Sequence, residues 1–211
     1  MATIPDHLVP SRLAKRADYD KETIHTILDD ALFCTISYSV DNKPFSIPTA
    51  FARYGDKLYI HGSVGSHFIR ALETGIPVCI SVTLMDALVV AKSAFHHSVN
   101  YRSVIIFSQA EKVEEYAKKE EALMWVVNKI VPNSWDYLRP MKENEVRKTT
   151  VLSFSLDEAS AKLRSGMPID DEEDMALPIW SGLIPLETRR STPIPDESSL
   201  AIALPSHLKG A

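Results

Sequence analysis

Hydrophobic spacing along this chain changes period several times. Over "DKETIHTILDDA", Ile24, Ile27, Leu28 and Ala31 recur on one helical face, and Asp20 stands where a cap would. "LFCTISYSV" then reads as a strand, and Asp41 and Asn42 form a turn. "PFSIPTAFAR" sets Phe45, Ile47, Thr49 and Phe51 on one face of a second strand. "YGDK" turns again, and "LYIHG" makes a third. Connections this short suit antiparallel neighbours, because parallel strands need a long crossover.

A helix over residues 66–73 follows, stopped by Gly75 and Pro77. "VCISVTLM" reads as a fourth strand, "DALVVAKSA" as a fifth and "RSVIIFSQAEKV" as a long sixth. "EYAKKEEALMWVVNKIV" is a second clear helix with Leu123, Val126, Val127 and Ile130 inward, ended by Pro132. "TTVLSFSL" is a last strand. Residues 1–19 read as an irregular arm. Residues 187–211, rich in Pro, Ser and charge, read as a tail that is mobile or wraps a neighbour. The acidic segment 170–174 repels itself and favours solvated chain. Residues 20–186 therefore make one domain. Its strands are contiguous and its helices few, which argues against the strict alternation of a doubly wound sheet. The pattern predicts a β-rich α+β fold, a small antiparallel barrel with peripheral helices.

Composition narrows the classes. The chain has 211 residues, 45% hydrophobic and 24% charged, ordinary for a soluble protein with a sizeable core. A net charge of −5 argues against non-specific nucleic-acid binding. Cys34 and Cys79 sit in apolar strands and outside any CxxC, so they read as reduced core thiols. No run approaches the roughly 18 apolar residues of a membrane span. The N-terminus lacks the apolar core of a secretory signal. Together these predict a cytoplasmic protein.

Candidate chemistry concentrates in "YIHGSVGSHFIRAL", residues 59–72, a strand, a glycine turn and a helix start. The first N–H groups of a helix lack internal partners and carry the positive end of its dipole. Glycines let a backbone curl around an anion, usually phosphate. Ser63 and Ser66 could add hydroxyls, His67 a ring N–H, and Arg70 could reach from the next turn. The stretch is not a P-loop, since His stands where Lys would. A turn of this kind also occurs simply to join a strand to a helix.

His61 either bonds at a barrel rim or faces a ligand held by that turn. His96 and His97 are adjacent, so in a strand they point to opposite faces and cannot share a metal. With no HxxxH or HExxH, no metal site is expected. Trp125 lies on the apolar side of its helix. Trp180, in "LPIWSGLIPL", lies outside any regular element, where a large aromatic anchors something. There is no GxSxG nucleophile elbow.

The order of motifs resembles the pyridoxamine 5'-phosphate oxidase-like, FMN-binding split-barrel family. More narrowly it resembles the branch of flavin-nucleotide-binding proteins related to nitroimidazole-resistance reductases. "DNKPFSIPTAFARYGDKLYIHGSVGSHFIRALETGIPVCISVT" carries the likeness, and "NYRSVIIFSQAEKV" and "LPIWSGLIPL" follow in order, over residues 20 to 190. The resemblance implies a six-stranded split barrel, a homodimer, and FMN in a cleft between subunits. It implies that Ser63, Ser66 and His67 hold the phosphate, that Pro48, Thr49, Ala50 and Phe51 run along the isoalloxazine, and that His61 and Gly62 lie near the ring. Tyr101, Arg102 and Ser103 would approach from the partner subunit, and Trp180 would close the site.

Two departures shape the functional expectation. The family's pyridoxamine-phosphate oxidases carry an R-x-V-L-L-K pattern in the second strand, where this chain has only Arg53 at the end. The family's turn also offers lysine where this chain has His67. The resemblance therefore carries the fold and the flavin, but not the vitamin B6 reaction. The expected function is an FMN-dependent oxidoreductase acting on a small nitroaromatic or quinone-like molecule. The alternatives are a non-catalytic FMN, haem or pyridoxal-phosphate binding protein and, ranked below it, a pyridoxamine-phosphate oxidase. No catalytic residue and no metal ligand is identified.

Overall fold

The computed structural model describes residues 5–9 and 11–209. Residues 1–4 and 10 of the expected arm, and 210–211 of the expected tail, lie outside them. The arm is not wholly irregular. Its short strand β1 (Ala17–Asp18) joins the edge of a sheet. Helix α1 (Lys21–Asp30) starts where Asp20 accepts the Thr23 N–H and buries Ile24, Ile27 and Leu28, as its spacing requires. Strands β2 (Phe33–Val40) and β3 (Lys43–Ala50) form a hairpin. Asp41 and Asn42 both take positive φ, as a two-residue connection demands.

The chain then bends at Phe51 into β4 (Ala52–Tyr54), and β5 (Lys57–Ser63) pairs back on it. Helix α2 (His67–Glu73) follows, capped by the Ser66 hydroxyl. The fourth and fifth expected strands are one, β6 (Pro77–Val90). Asp86 is not a turn between them but the extra residue of a bulge, where the register against β7 (Ser98–Gln109) shifts between Met85 and Ala87. Ala110 bends β7 into β8 (Glu111–Lys112). Helix α3 (Tyr116–Ile130) buries Ala122, Leu123 and Val126. Ile130, expected inward, is 42% exposed because it sits in the last turn as the helix leaves the sheet. A short helix α4 (Glu143–Arg147) leads into β9 (Thr149–Ser155), then β10 (Ala159–Arg164) and, later, β11 (Gly182–Pro185). Neither β10 nor β11 was expected.

Two antiparallel sheets result. One runs β1-β10-β7-β6-β2-β3, with β11 on β6; the other runs β4-β5-β9-β8. The bent strands β3/β4 and β7/β8 belong to both. The circuit β6–β2–β3/β4–β5–β9–β8/β7 therefore closes on itself with six strands, the barrel that the pattern implies. Its interior holds Ile36, Phe51, Leu58, Ile60, Ile80, Val104, Ile106, Leu152 and Phe154, all fully buried. α1 and α2 drive Ile27, Leu28, Ile69 and Leu72 into the same core. Each such side chain contributes on the order of 1.5–3 kcal/mol by leaving water. α3 instead packs outside, where Ala122 and Leu123 meet Val151 of β9. No helix among the described residues is long and apolar enough to cross a membrane.

Candidate functional site

The barrel opens where β3 and β5 part. β4 and β5 pair from Tyr54–Lys57 to Ala52–Tyr59. Continuing that register would set Ala50 against His61, but Phe51 turns the chain into the other sheet first. β3 is the last strand of that sheet. Among the described residues no strand lies beyond it, so the backbone of residues 48–50 presents unpaired groups along that edge. The end of β5, with His61, Gly62 and Ser63, flanks the same opening. Pro48 is exposed, and Thr49 and Ala50 are half-buried. Phe51 is fully buried in the core, so its side chain cannot lie along a ligand; only its backbone can.

The glycine turn is largely satisfied from within. The Val64 N–H donates to the Lys148 carbonyl at 3.1 Å, and the Ser66 N–H to the Ser63 carbonyl at 2.9 Å. The Gly65 N–H donates to the Ser63 hydroxyl at 3.2 Å. The Ser66 hydroxyl accepts the Ile69 N–H, and Arg70 Nε folds back onto the Val64 carbonyl at 3.0 Å. The amides left for a ligand are those of His67 and Phe68, with the free O–H of each serine and the exposed His67 ring. Neither glycine in the turn takes positive φ. Gly62 is there for packing: a Cβ would stand 2.6 Å from Ile69 Cγ1, so only glycine lets α2 lie on β5. His61 is open to solvent at its surface, yet the protein crowding it lowers its pKa by desolvation.

The other expected residues lie apart within one chain. β2 and β6 separate β7 from β3, three strand spacings or ~14 Å. Tyr101 and Ser103 point to the outer face of the larger sheet, and the Ser103 hydroxyl donates to the Lys162 carbonyl at 3.1 Å. Arg102 points the other way and is already engaged. It donates to both oxygens of Asp86 at 3.0–3.2 Å and also to Asp30, so two carboxylates raise its pKa. It ties the end of α1 to the β6 bulge, so its guanidinium is paired within its own chain.

Trp180 is 65% exposed and precedes β11, which takes the edge of β6 beyond the end of β2. Its indole lies on Gly182, where a Cβ would meet it at 2.9 Å. The strap carrying Trp180 is held by Lys92, a residue that sequence reasoning missed. Its N–H donates to Asp170 at 2.7 Å, and its ammonium to the Leu177 and Ile179 carbonyls at 2.7 and 2.8 Å. Only a lysine unmatched by any nearby acid in the sequence hinted at it. His96 and His97 lie in a turn before β7, not in a strand. His96 pairs with Asp171, and His97 Nδ1 bonds the Ser93 carbonyl at 2.9 Å. Among the described residues no group of His, Cys, Asp and Glu could hold a metal ion. Cys34 is buried, which pushes its thiol up to about 12, and both cysteines are free.

Comparison with solved structures sets this geometry beside known proteins. The flavocytochrome Anf3 from Azotobacter vinelandii is 38% identical, with 97% of this chain and 96% of that chain covered at a TM-score of 0.91. An FAD and haem binding protein from Mycobacterium smegmatis is 33% identical, with 92% and 96% covered at 0.88. A candidate 5-nitroimidazole antibiotic resistance protein from Bacteroides thetaiotaomicron, 22% identical over 69% and 85%, shares the fold at 0.57. No curated protein sequence matches the chain at a significant level. Residues 20–163 match the family described as pyridoxamine 5'-phosphate oxidase, and with the six-stranded barrel already in view the chain belongs to that family.

Proposed function

We propose that the protein is a flavin-dependent redox protein that holds its flavin at the opening between β3 and β5, completed by a second copy of the chain. The observation that carries this reading is the free edge of β3 beside the end of β5. A planar ring system can be buried there and bonded by main-chain groups along its edge. His61, Gly62 and Ser63 would flank the ring. Ser63, Ser66, His67 and the first amides of α2 would meet a phosphate. The sequence resemblance favours FMN, and the Mycobacterium relative binds FAD. Oxidation and reduction belong to the flavin; the chain binds it, orients it and limits water.

The second copy is supported by the outer face of the larger sheet. Thr35, Ser37, Ser46, Pro48, Ala50, Cys79, Ser81, Thr83, Met85, Ser103 and Ile105 point outward there, and none is charged. Tyr101 and Ser103 of a partner would reach the flavin across that face. Vitamin B6 oxidation is disfavoured, because Arg53, the strand's one arginine, is spent on Asp29 in a two-pronged pair and on the Gly55 carbonyl.

Haem is a second cofactor to weigh, because the relative at 33% identity binds it by name and the one at 38% is named a flavocytochrome. The chain offers suitable ligand types: the exposed His97 ring is fixed through Nδ1, and His61 and His67 are open. The absorption spectrum of the purified protein tests both. Visible flavin bands released on denaturation support the proposal, and a Soret band adds haem. A colourless protein that takes up no flavin when it is supplied removes it. Steady-state oxidation of reduced nicotinamide, with a quinone or nitroaromatic acceptor, then separates an enzyme from a carrier.

A further inference from the structure

At the opposite edge of the larger sheet a cleft of about 480 Å³ lies between residues 15–18 and 163–169. Lys15, Arg16 and Arg164 line it, with Leu163, Met167 and Ile169 as its apolar wall. Lys162 stands beside it on β10, in register with Ala17 of β1. The chain carries 23 lysines and arginines, and nine of them pair with a carboxylate, so what sets Lys15, Arg16 and Arg164 apart is that they meet in one cleft. Lys21, Arg53, Lys57, Arg102, Lys112, Lys118, Arg139, Arg147 and Arg189 each pair with a carboxylate. Among the described residues, none of Lys15, Arg16, Lys162 and Arg164 does. The one acid in the cleft, Asp18, keeps its charge but is turned to the start of α1 by two neutral donors. Its two oxygens accept the Asp20 N–H at 2.9 Å and the Thr23 hydroxyl at 3.0 Å, at the start of α1.

Arg164 is also held in place. Its guanidinium donates to the side-chain oxygen of Asn100, which is 6% exposed, and the Asn100 amide donates in turn to the Gly166 carbonyl at 3.0 Å. A buried neutral amide fixes the direction of the arginine without cancelling its charge. Arg16, Lys162 and Arg164 are half-buried, so each loses water without gaining a counter-ion. Such a group is completed by an anion, and a planar guanidinium fork suits phosphate oxygens.

We propose that this cleft binds the diphosphate of a nucleotide, with the base against Leu163, Met167 and Ile169. Two phosphates match the three to four cations, and the volume suits such a group. That the nucleotide is a redox one rests on the flavin reading above. The same adenosine diphosphate group could come from a flavin dinucleotide or from a nicotinamide dinucleotide. Lys162 and Arg164 lie next to Ser103 and Tyr101 in register, so the cleft borders the face already implicated.

The test is calorimetric titration of the full chain with ADP, AMP and adenosine at low salt. ADP should bind more tightly than AMP, adenosine should not bind, and added salt should weaken ADP. Arg16→Gln, Arg164→Gln and Lys15→Gln should each weaken ADP about tenfold or more, and the remote Arg190→Gln should not. If Arg164→Gln fails to fold, the Arg16 and Lys15 variants, on a surface turn, carry the test. FAD weakened by these variants while FMN is unaffected assigns the group to the flavin. Weakened reduced nicotinamide dinucleotide assigns it to the electron donor. ADP binding no better than adenosine overturns the proposal, as do folded variants that bind ADP like wild type. So does haem uptake that falls in the variants while ADP fails to bind at all. FMN binding without ADP binding sinks this proposal alone; ADP binding without any flavin binding sinks the flavin reading alone.

Discussion

The two sheets of the barrel meet water very differently. The smaller sheet turns its outer face to α3, where Val151, 1% exposed, lies under Ala122 and Leu123. Tyr59 and Trp125 complete that cover, ring to ring at 4.9 Å. Among the described residues no helix packs across the outer face of the larger sheet. Phe33 and Met85 there are 62% and 60% exposed, and its outward positions over β2, β3, β6 and β7 carry no charge. A half-bare sheet usually shows water a charged or strongly polar face. Over these four strands the face is neutral, as the proposed second copy would require; charge reaches it only on β10, at Lys162 and Arg164, and the opening beside β3 lies at its other edge.

The largest expected effects come from putting charge on each face. Ser81, in the middle of the bare face between Thr35 and Ile105, should tolerate Ser81→Glu within a folded monomer. Dimerisation should weaken by more than about 100-fold, because the interface would bury an unpaired carboxylate from each copy. Val151→Asp on the covered face should act in the opposite manner. It should lower the melting temperature, costing about 3–5 kcal/mol, with no specific effect on assembly. Urea melts and light scattering separate the two outcomes. Leu123→Ala should remove part of the cover and cost about 2–5 kcal/mol. A loss well under 1 kcal/mol in the same melts would mean that α3 is not what seals that sheet.

A smaller effect is expected at the opening itself. Gly62→Ala must push Ile69, and with it α2, by several tenths of an ångström, costing about 1–3 kcal/mol. Flavin affinity should fall with stability, and an unchanged melt would show that α2 yields freely. The smallest effect is one of pH. His61 has a lowered pKa in the folded protein, so the unfolded chain takes up a proton first. Its contribution to stability is complete above the unfolded value near ~6.5 and is lost as the pH falls through it. His61→Gln should therefore flatten the stability profile between about pH 5 and 7. Parallel wild-type and variant profiles would contradict this.

The local elements of the molecule were the more legible in sequence. Asp20 and Ser66 cap their helices, and the β2–β3 hairpin turns at Asp41 and Asn42 as its residues demand. What sequence could not give was pairing at a distance. β10 turns Ala159 and Ala161 inward, side chains too small to mark a hydrophobic stripe, and it was missed. Asp86 divides two expected strands in the sequence, and only the fold shows it as a bulge with Arg102 and Asp30 beside it. The site was legible in its residues and less so in their reasons. The glycine at position 62 was read as room for an anion, and packing against Ile69 explains it. Arg102 was read as a ligand, and two carboxylates occupy it. Lys92 and the unpaired cations around Arg164 carry no local signal, because only the fold shows which charges lack partners.

The central claim is that the bare face, a second copy and the flavin belong to one site. Sedimentation of the flavin-loaded protein, followed at a flavin wavelength, tests it most directly. Wild type should sediment as a dimer with the flavin absorbance moving at the dimer rate. Ser81→Glu should sediment as a folded monomer and leave the flavin behind. A wild-type monomer that carries flavin, or a Ser81→Glu monomer that retains it, would contradict the account.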